Sequence, residues 1–329
     1  MEIDSKIMEM LRPGPVRWGR MAADPDLCDG CGLCRLNCAL KLWEIRDDGA
    51  CFLADGHCLS CYHCQLVCPG DAIREIECFH ILKGFYRTER LLATMPAEPK
   101  DAVGRPDRYS AVEREILERR SVRNFRDDAV PEPLLRRVLE AGRFAPSGCN
   151  CQPHRFIAIT DRELIEELAL AIRDWMAEFA ATYDDDRSLP LLAEQFEANP
   201  MTGLLFNPST VQVAHVVADG TLPIFLNAPA LILILVDERS SSVPLQAGIA
   251  GQNMCLAANS IGLGSCWSGL CLGLNGMPLL LERLGIKPPW QLGGGIMLGY
   301  PAFEQEGMVP RLKRPVTWFR PGQGSQLET

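Results

Sequence analysis

Two stretches of one pattern decide how this chain is read: Cys28-Asp29-Gly30-Cys31-Gly32-Leu33-Cys34-Arg35-Leu36-Asn37-Cys38 and Cys58-Leu59-Ser60-Cys61-Tyr62-His63-Cys64-Gln65-Leu66-Val67-Cys68, the second followed by Pro69. Both read C-x2-C-x2-C-x3-C. Two-residue gaps let a tight loop aim three thiolates at three corners of one inorganic cube, while the fourth cysteine starts a helix and faces away. A zinc site would ask for two separated C-x2-C knuckles making one tetrahedron, whereas here three thiols crowd into seven residues twice over. A disulfide framework would suit a short secreted chain, and this one is long with no signal peptide at its start.

The spacing resembles that of bacterial two-cluster ferredoxins, which hold a pair of [4Fe-4S] clusters and in which the fourth cysteine of each run ligates the other cluster. The resemblance implies that Cys28, Cys31, Cys34 and Cys68 hold one cluster, and that Cys58, Cys61, Cys64 and Cys38 hold the second. Cys38 is followed by Ala39 where proline is usual, which removes no ligand. Cys51 and Cys78 fall outside the spacing and are read as structural.

At 329 residues the chain is long enough for a second domain, and its 47% hydrophobic and 23% charged residues are those of a protein folded throughout. A net charge of −9 makes nucleic acid an unsuitable partner. The longest apolar run, Leu222 to Val236, is too short to span a bilayer and is broken by Asn227 and Pro229, so it predicts a buried strand and no membrane span. Fifteen cysteines without a signal peptide predict a reducing cytoplasm.

The pattern divides the chain into a two-cluster domain over 1–87, a linker over 88–109 interrupted by Pro96, Pro99 and Pro106, and a larger domain over 110–329. In the first, Leu42–Ile45 and Cys51–Leu53 flank Asp47-Asp48-Gly49 as a hairpin, with Ile73–Ile76 as its companion strand. In the last, helices are expected over Tyr109–Arg120, from Pro133 towards Pro146, after the cap Asp161, over Leu245–Ile261, and over Asn275–Leu284 with Asn275 as cap. Strands are expected at Arg155–Thr160, Ala230–Val236 and Gln291–Tyr300. Residues 183–221 carry an acidic run and three prolines with little periodicity, and read as a lid-like insertion. Helices and strands without clean βαβ alternation favour an α+β fold, a mixed or antiparallel sheet flanked by helices.

Three pieces of the larger domain then converge: Arg119-Arg120-Ser121-Val122-Arg123, Ala145-Pro146-Ser147-Gly148-Cys149-Asn150-Cys151-Gln152-Pro153 and Gly262-Leu263-Gly264-Ser265-Cys266-Trp267-Ser268-Gly269. In that order they resemble the motifs of nitroreductase-like flavoproteins, over roughly residues 110 to 320. The resemblance implies FMN as cofactor and an intertwined homodimer with FMN at the subunit interface. It implies that Arg119, Arg120, Ser121 and Arg123, with Arg311 and Lys313 near the C-terminus, meet the phosphate, whose charge calls for guanidinium forks and hydroxyl donors. It sets Pro146, Ser147, Gly148, Asn150 and Gln152 against the isoalloxazine ring, and the backbone around Ser268 and Gly269 at its N5 edge. His154 stands where Trp is common in the family. Cys149 and Cys151 place two thiols on the ring-facing loop, where buried and inert cysteine is the expectation.

Two clusters that pass single electrons, joined to a flavin that takes one or two, make a wire ending in a converter. The expected function is an FMN- and iron-sulfur-dependent oxidoreductase reducing a small organic acceptor, such as a nitroaromatic, quinone or activated alkene. The alternative is an electron-transfer relay serving a partner complex without a small-molecule substrate of its own. A ferredoxin or similar protein is the expected donor, since attached clusters would be superfluous to NAD(P)H. No residue is singled out as catalytic; His215 in the insertion is weighed as a proton donor against an ordinary surface histidine.

Overall fold

A computed structural model describes residues 16–81, 109–185, 211–240, 242–305 and 316–322, with shorter pieces at 187–188, 190–191, 194, 307–309 and 324–328. All of the 88–109 linker but Tyr109, most of the insertion, and both Arg311 and Lys313 lie outside the described residues.

The cysteine-rich unit is built on short antiparallel pairs. Strand β1 (Val16–Arg17) and β2 (Arg20–Ala23) precede helix α1 (Leu33–Asn37), the hairpin β3 (Trp43–Arg46) and β4 (Gly49–Phe52), helix α2 (His63–Val67), β5 (Ile73–Glu77) and β6 (His80–Ile81). The hairpin forms where turn chemistry predicts, with Arg46 opposite Gly49 at φ 113°, a left-handed turn position suited to glycine. Ile73–Glu77 is not its companion: β5 pairs with β2, and β6 with β1, so the chain's start closes the unit. The short β1 and β2 segments carry too little alternation to be seen in the sequence. Trp43, 2% exposed, centres a core with Met21, Leu42, Tyr62 and Ile73, and meets the Phe52 ring edge-on at 5.2 Å.

The two halves of this unit repeat in detail. Each helix starts one residue before the third cysteine of its C-x2-C-x2-C run, after a left-handed residue, Gly32 at φ 76° or Tyr62 at φ 61°. Each ends at the fourth cysteine, Cys38 or Cys68, in the same extended conformation. The fourth cysteine therefore stops the helix instead of starting it.

The larger unit contributes α3 (Ala111–Glu118), α4 (Glu132–Arg143), β7 (His154–Ile159), α5 (Arg162–Asp184), α6 (Val211–Ala218), β8 (Ala230–Asp237), α7 (Val243–Ser260), β9 (Gly264–Ser268), α8 (Pro278–Arg283), β10 (Trp290–Gly299), and the hairpin β11 (Val316–Arg320) and β12 (Gly324–Glu328). Its sheet has the order β7-β8-β10-β9 with every neighbouring pair antiparallel, which meets the α+β expectation. Strand β8 is apolar throughout because both faces are covered. Leu231, Leu233 and Leu235 enter one core with α5, and Ile232, Ile234 and Val236 enter the other with α4 and α7. Each such side chain contributes about 1.5–3 kcal/mol. Asp161 caps α5 by accepting from the Glu163 and Leu164 amides, as predicted, and Ser110 and Glu113 form a capping box on α3. Asn275 is not the cap of α8. The 3-10 turn Leu270–Gly276 precedes that helix, and Asn275 instead donates to the Leu292 carbonyl at 3.0 Å. Strands β11 and β12 pair as an exposed antiparallel hairpin.

The glycine- and alanine-rich α7 uses its small residues within this chain. A β-carbon on Gly251 would lie 2.1 Å from the Trp267 ring, and one on Gly294 would lie 2.3 Å from the same ring. At the sheet edge, Ser121 bridges to Ser265 in parallel, and the Val122 amide donates to the Ser265 carbonyl at 2.9 Å. A β-carbon on Gly264 would lie 2.8 Å from the Val122 side chain, so this approach needs glycine. Gly264→Val is expected to cost at least about 1–3 kcal/mol through overpacking against a buried residue, read as a lowered midpoint in equilibrium urea unfolding.

Candidate flavin and cluster site

The bridge between Ser121 and Ser265 joins the first and third sequence pieces. Burial pushes the Cys266 thiol up, and Arg123, Ser121 and Arg119 beside it counter that push. Arg119 Nε is buried with no partner among the described residues, and so is Ser268 Oγ. Orphaned donors of this kind are costly unless something else occupies the site. A side chain on Gly269 would meet nothing within 4 Å, so the backbone there faces open space. An anionic, ring-bearing cofactor suits this edge. Arg120 turns elsewhere: its guanidinium donates to the Glu118 and Gly307 carbonyls, on the side of the motif occupied by Tyr300 and Phe303.

The second piece is not brought to the same place. Pro146–Gln152 precedes β7, at the opposite edge of the sheet from β9, three strand spacings or about 14 Å away. Pro146, Gly148, Asn150 and Gln152 are exposed, and Ser147 is partly so, its hydroxyl accepting from the Gln152 amide at 2.9 Å. Cys149, Asn150 and Gln152 adopt left-handed backbone at φ 51°, 53° and 49°. Non-glycine residues hold such angles at a cost and typically where a ligand or partner uses the shape. Cys149 and Cys151 are exposed, against the expectation of buried thiols, because the loop lies outside both cores. His154 stacks on Phe156 and bonds the Gln246 carbonyl at 3.1 Å. His215 pairs with Asp184 at 3.2 Å at the surface.

The eight spaced cysteines fall into two groups. Cys28, Cys31, Cys34 and Cys68 line one small pocket, and Cys38, Cys58, Cys61 and Cys64 line another. Each pocket takes three cysteines from one run and the fourth from the other. Backbone amides already point at several sulfurs: Ala50 to Cys28, Leu42 to Cys38 and Ala72 to Cys68, at 3.4, 3.4 and 3.3 Å. Burial pushes Cys34 up to about 11 and Cys58 up to about 12, so these thiols stay neutral at physiological pH unless a cation stabilises their charge. Among the described residues no three His, Cys, Asp or Glu side chains converge as a single metal ion would require. A four-iron cube is wider than one ion and sets its thiolates further apart, so the open quartets suit a cube.

The cavity at the second quartet, about 200 Å³, is also lined by Arg123, Cys266, Ser268 and Gly269, and by the apolar Leu222, Pro223 and Leu226. Around it the two units are bonded together. Asn124 donates to the carbonyl and side-chain oxygens of Asn37 at 2.6 and 3.2 Å, Asn37 donates to the His63 carbonyl at 3.2 Å, and His63 meets Arg123 at 3.2 Å. Burial first, then Arg123 and Arg120, holds the His63 imidazole far down at about 3. Sequence patterning missed Asn37 and His63, whose only signal is polarity at spacer positions between ligands. Asn124→Ala would leave the Asn37 oxygens short of a donor at a cost of about 1–3 kcal/mol, expected as faster amide exchange over residues 33–42 and 58–68.

The family model described as nitroreductase matches residues 116–300, more than half of the chain. A protein of Archaeoglobus fulgidus, provisionally named NADH dehydrogenase/NAD(P)H nitroreductase, is 26% identical over 58% of this chain and 86% of its own length. Nitroreductase NfnB of Mycolicibacterium smegmatis is 28% identical over 49% of this chain and 71% of its own. Among solved structures, a nitroreductase with bound FMN from Desulfitobacterium hafniense is 23% identical, covering 62% of this chain and 95% of that one at a TM-score of 0.47.

Proposed function

The chain belongs to the nitroreductase family, and we propose that it is an FMN-dependent oxidoreductase whose N-terminal unit holds two [4Fe-4S] clusters and feeds electrons to the flavin for reduction of a small organic acceptor. One observation carries this reading: the thiols of the second quartet and the flavin-motif residues Arg123, Ser268 and Gly269 line the same cavity. When bound, the clusters would supply single electrons and FMN would turn them into two-electron reduction.

In this reading Arg119 and Arg123 supply positive charge to an anionic cofactor, with Ser121 at the sheet-edge bridge beside them, and Ser268 Oγ finds the partner it lacks. The loop Pro146–Gln152 serves a second copy of the chain, since it stands exposed at the far edge of the sheet. A homodimer then completes each flavin site from two chains. Leu222, Pro223 and Leu226 give this cavity an apolar wall. The quartet of Cys28, Cys31, Cys34 and Cys68 lies away from this cavity and includes the exposed Cys31, so it is the point of entry from a ferredoxin or similar donor. The A. fulgidus relative bears NAD(P)H in its name, and a donor test with both is the direct comparison.

Protein purified anaerobically is expected to contain about eight iron atoms, matching sulfide and one FMN per chain; zinc without sulfide would end the proposal. Arg119→Ala is expected to weaken FMN binding by roughly tenfold or more, the scale of a lost charge-assisted bond, measured by fluorescence titration. Buried thiols must lose protons to ligate, so cluster assembly at pH 7 is expected to release protons, and iron retention to fall as pH is lowered.

A further inference from the structure

We propose that His63 is a positioning residue for electron entry: its Nε2 accepts a hydrogen bond from Arg123 and thereby clamps the loop carrying Cys61 and Cys64 to the flavin-binding arginine. The inference rests on the FMN and cluster reading above and assigns within it a role to a residue that neither cofactor needs as a ligand.

Three observations converge on it. First, arginine carries five N–H donors and no acceptor, so the 3.2 Å contact between Arg123 Nη1 and His63 Nε2 is a hydrogen bond in which the imidazole nitrogen offers its lone pair. His63 is 2% exposed, so solvent does not compete for that pairing. Second, the internal repeat of the cysteine unit is broken at two matched places. Asn37 precedes Cys38 and His63 precedes Cys64, both in the second quartet. Their counterparts Val67 and Leu33 precede Cys68 and Cys34, both in the first, and are apolar. At these two matched positions the polar side chains stand on the side of the repeat that faces the flavin motif. Third, the two polar residues are joined, Asn37 to the His63 carbonyl, and they grip consecutive residues, Asn124 and Arg123. Peptide and hydrogen bonds therefore run unbroken from Cys64 through His63 to Arg123.

The electron balance is simple. Two electrons, one from each reduced cluster, and protons from solvent reduce FMN, and an external low-potential reductant restores the clusters. His63 gains and loses nothing; it holds the distance.

The experiment uses full-length, anaerobically loaded protein with His63→Leu and His63→Gln. Flash photoreduction follows internal electron exchange between cluster and flavin, spectroelectrochemistry gives the flavin midpoint, and iron and FMN are counted on the same samples. With iron and FMN content unchanged, H63L is expected to slow the internal phase by about tenfold, the scale of losing one hydrogen bond to a charged group. Its flavin midpoint is expected to move to more positive potential, as the released guanidinium turns towards the flavin. Glutamine Oε1 accepts the same bond, so H63Q is expected to restore most of the rate. Wild-type rate and midpoint in a fully loaded H63L would overturn the inference and leave the functional reading intact. Wild-type protein without sulfide or FMN would overturn both. Should H63L not load iron, His63→Phe fills the volume without an acceptor; failure of both to load while H63Q loads normally would overturn positioning in favour of a folding role.

Discussion

The close approach of Val122 to Gly264 is the constraint on which the site depends. Only a residue without a side chain lets the first motif run beside β9, and the Ser121–Ser265 bridge then fixes its register. Arg119 and Arg123 leave that segment towards Cys266 and the end of β9, while Arg120 between them turns to the other side. Motifs more than 140 residues apart in sequence, Ser121 and Ser265, become one surface through a single backbone hydrogen bond and a missing methyl group.

The cysteine unit meets that surface with the broken half of its repeat. Its two halves share helix length, entry conformation and exit conformation, as expected when one loop geometry is used twice for one task. They differ where Asn37 and His63 replace apolar counterparts, and those differences anchor the second quartet to the flavin motif. The symmetric part of the unit repeats the cysteine loops, and the asymmetric part docks them against the larger unit. A buried polar network of this kind is favourable only when its members are satisfied, and Asn124, Asn37, His63 and Arg123 are linked in that order by hydrogen bonds.

Much of the larger unit was legible because its elements announce themselves by period or by cap. Asp161 caps α5, the uninterrupted apolar run of β8 reflects burial on two faces, and the three flavoprotein motifs stand in order. Legibility failed where long-range pairing outweighed local pattern. Ile73–Glu77 has the composition of a strand, but nothing local says that Arg20–Ala23 is its partner. Asn275 has the chemistry of a cap, but the Leu292 carbonyl across the core claims it. Cys149 and Cys151 were expected to be buried because free cysteines usually are, and their exposure follows from where the loop leaves the sheet.

By itself the sequence determined the repeated cysteine spacing and the three motifs of the nitroreductase family, because those depend on order along one chain, where a few residues fix the reach of each side chain. Only the tertiary structure decided which quartet faces the flavin, which arginine of the first motif turns away, and that the ring-facing loop stands at the opposite sheet edge. Those facts depend on which surfaces pack together. Packing is set by shape at Gly264, Val122, Asn37 and His63, where the deciding feature is a missing side chain or one hydrogen bond and no periodic pattern marks it.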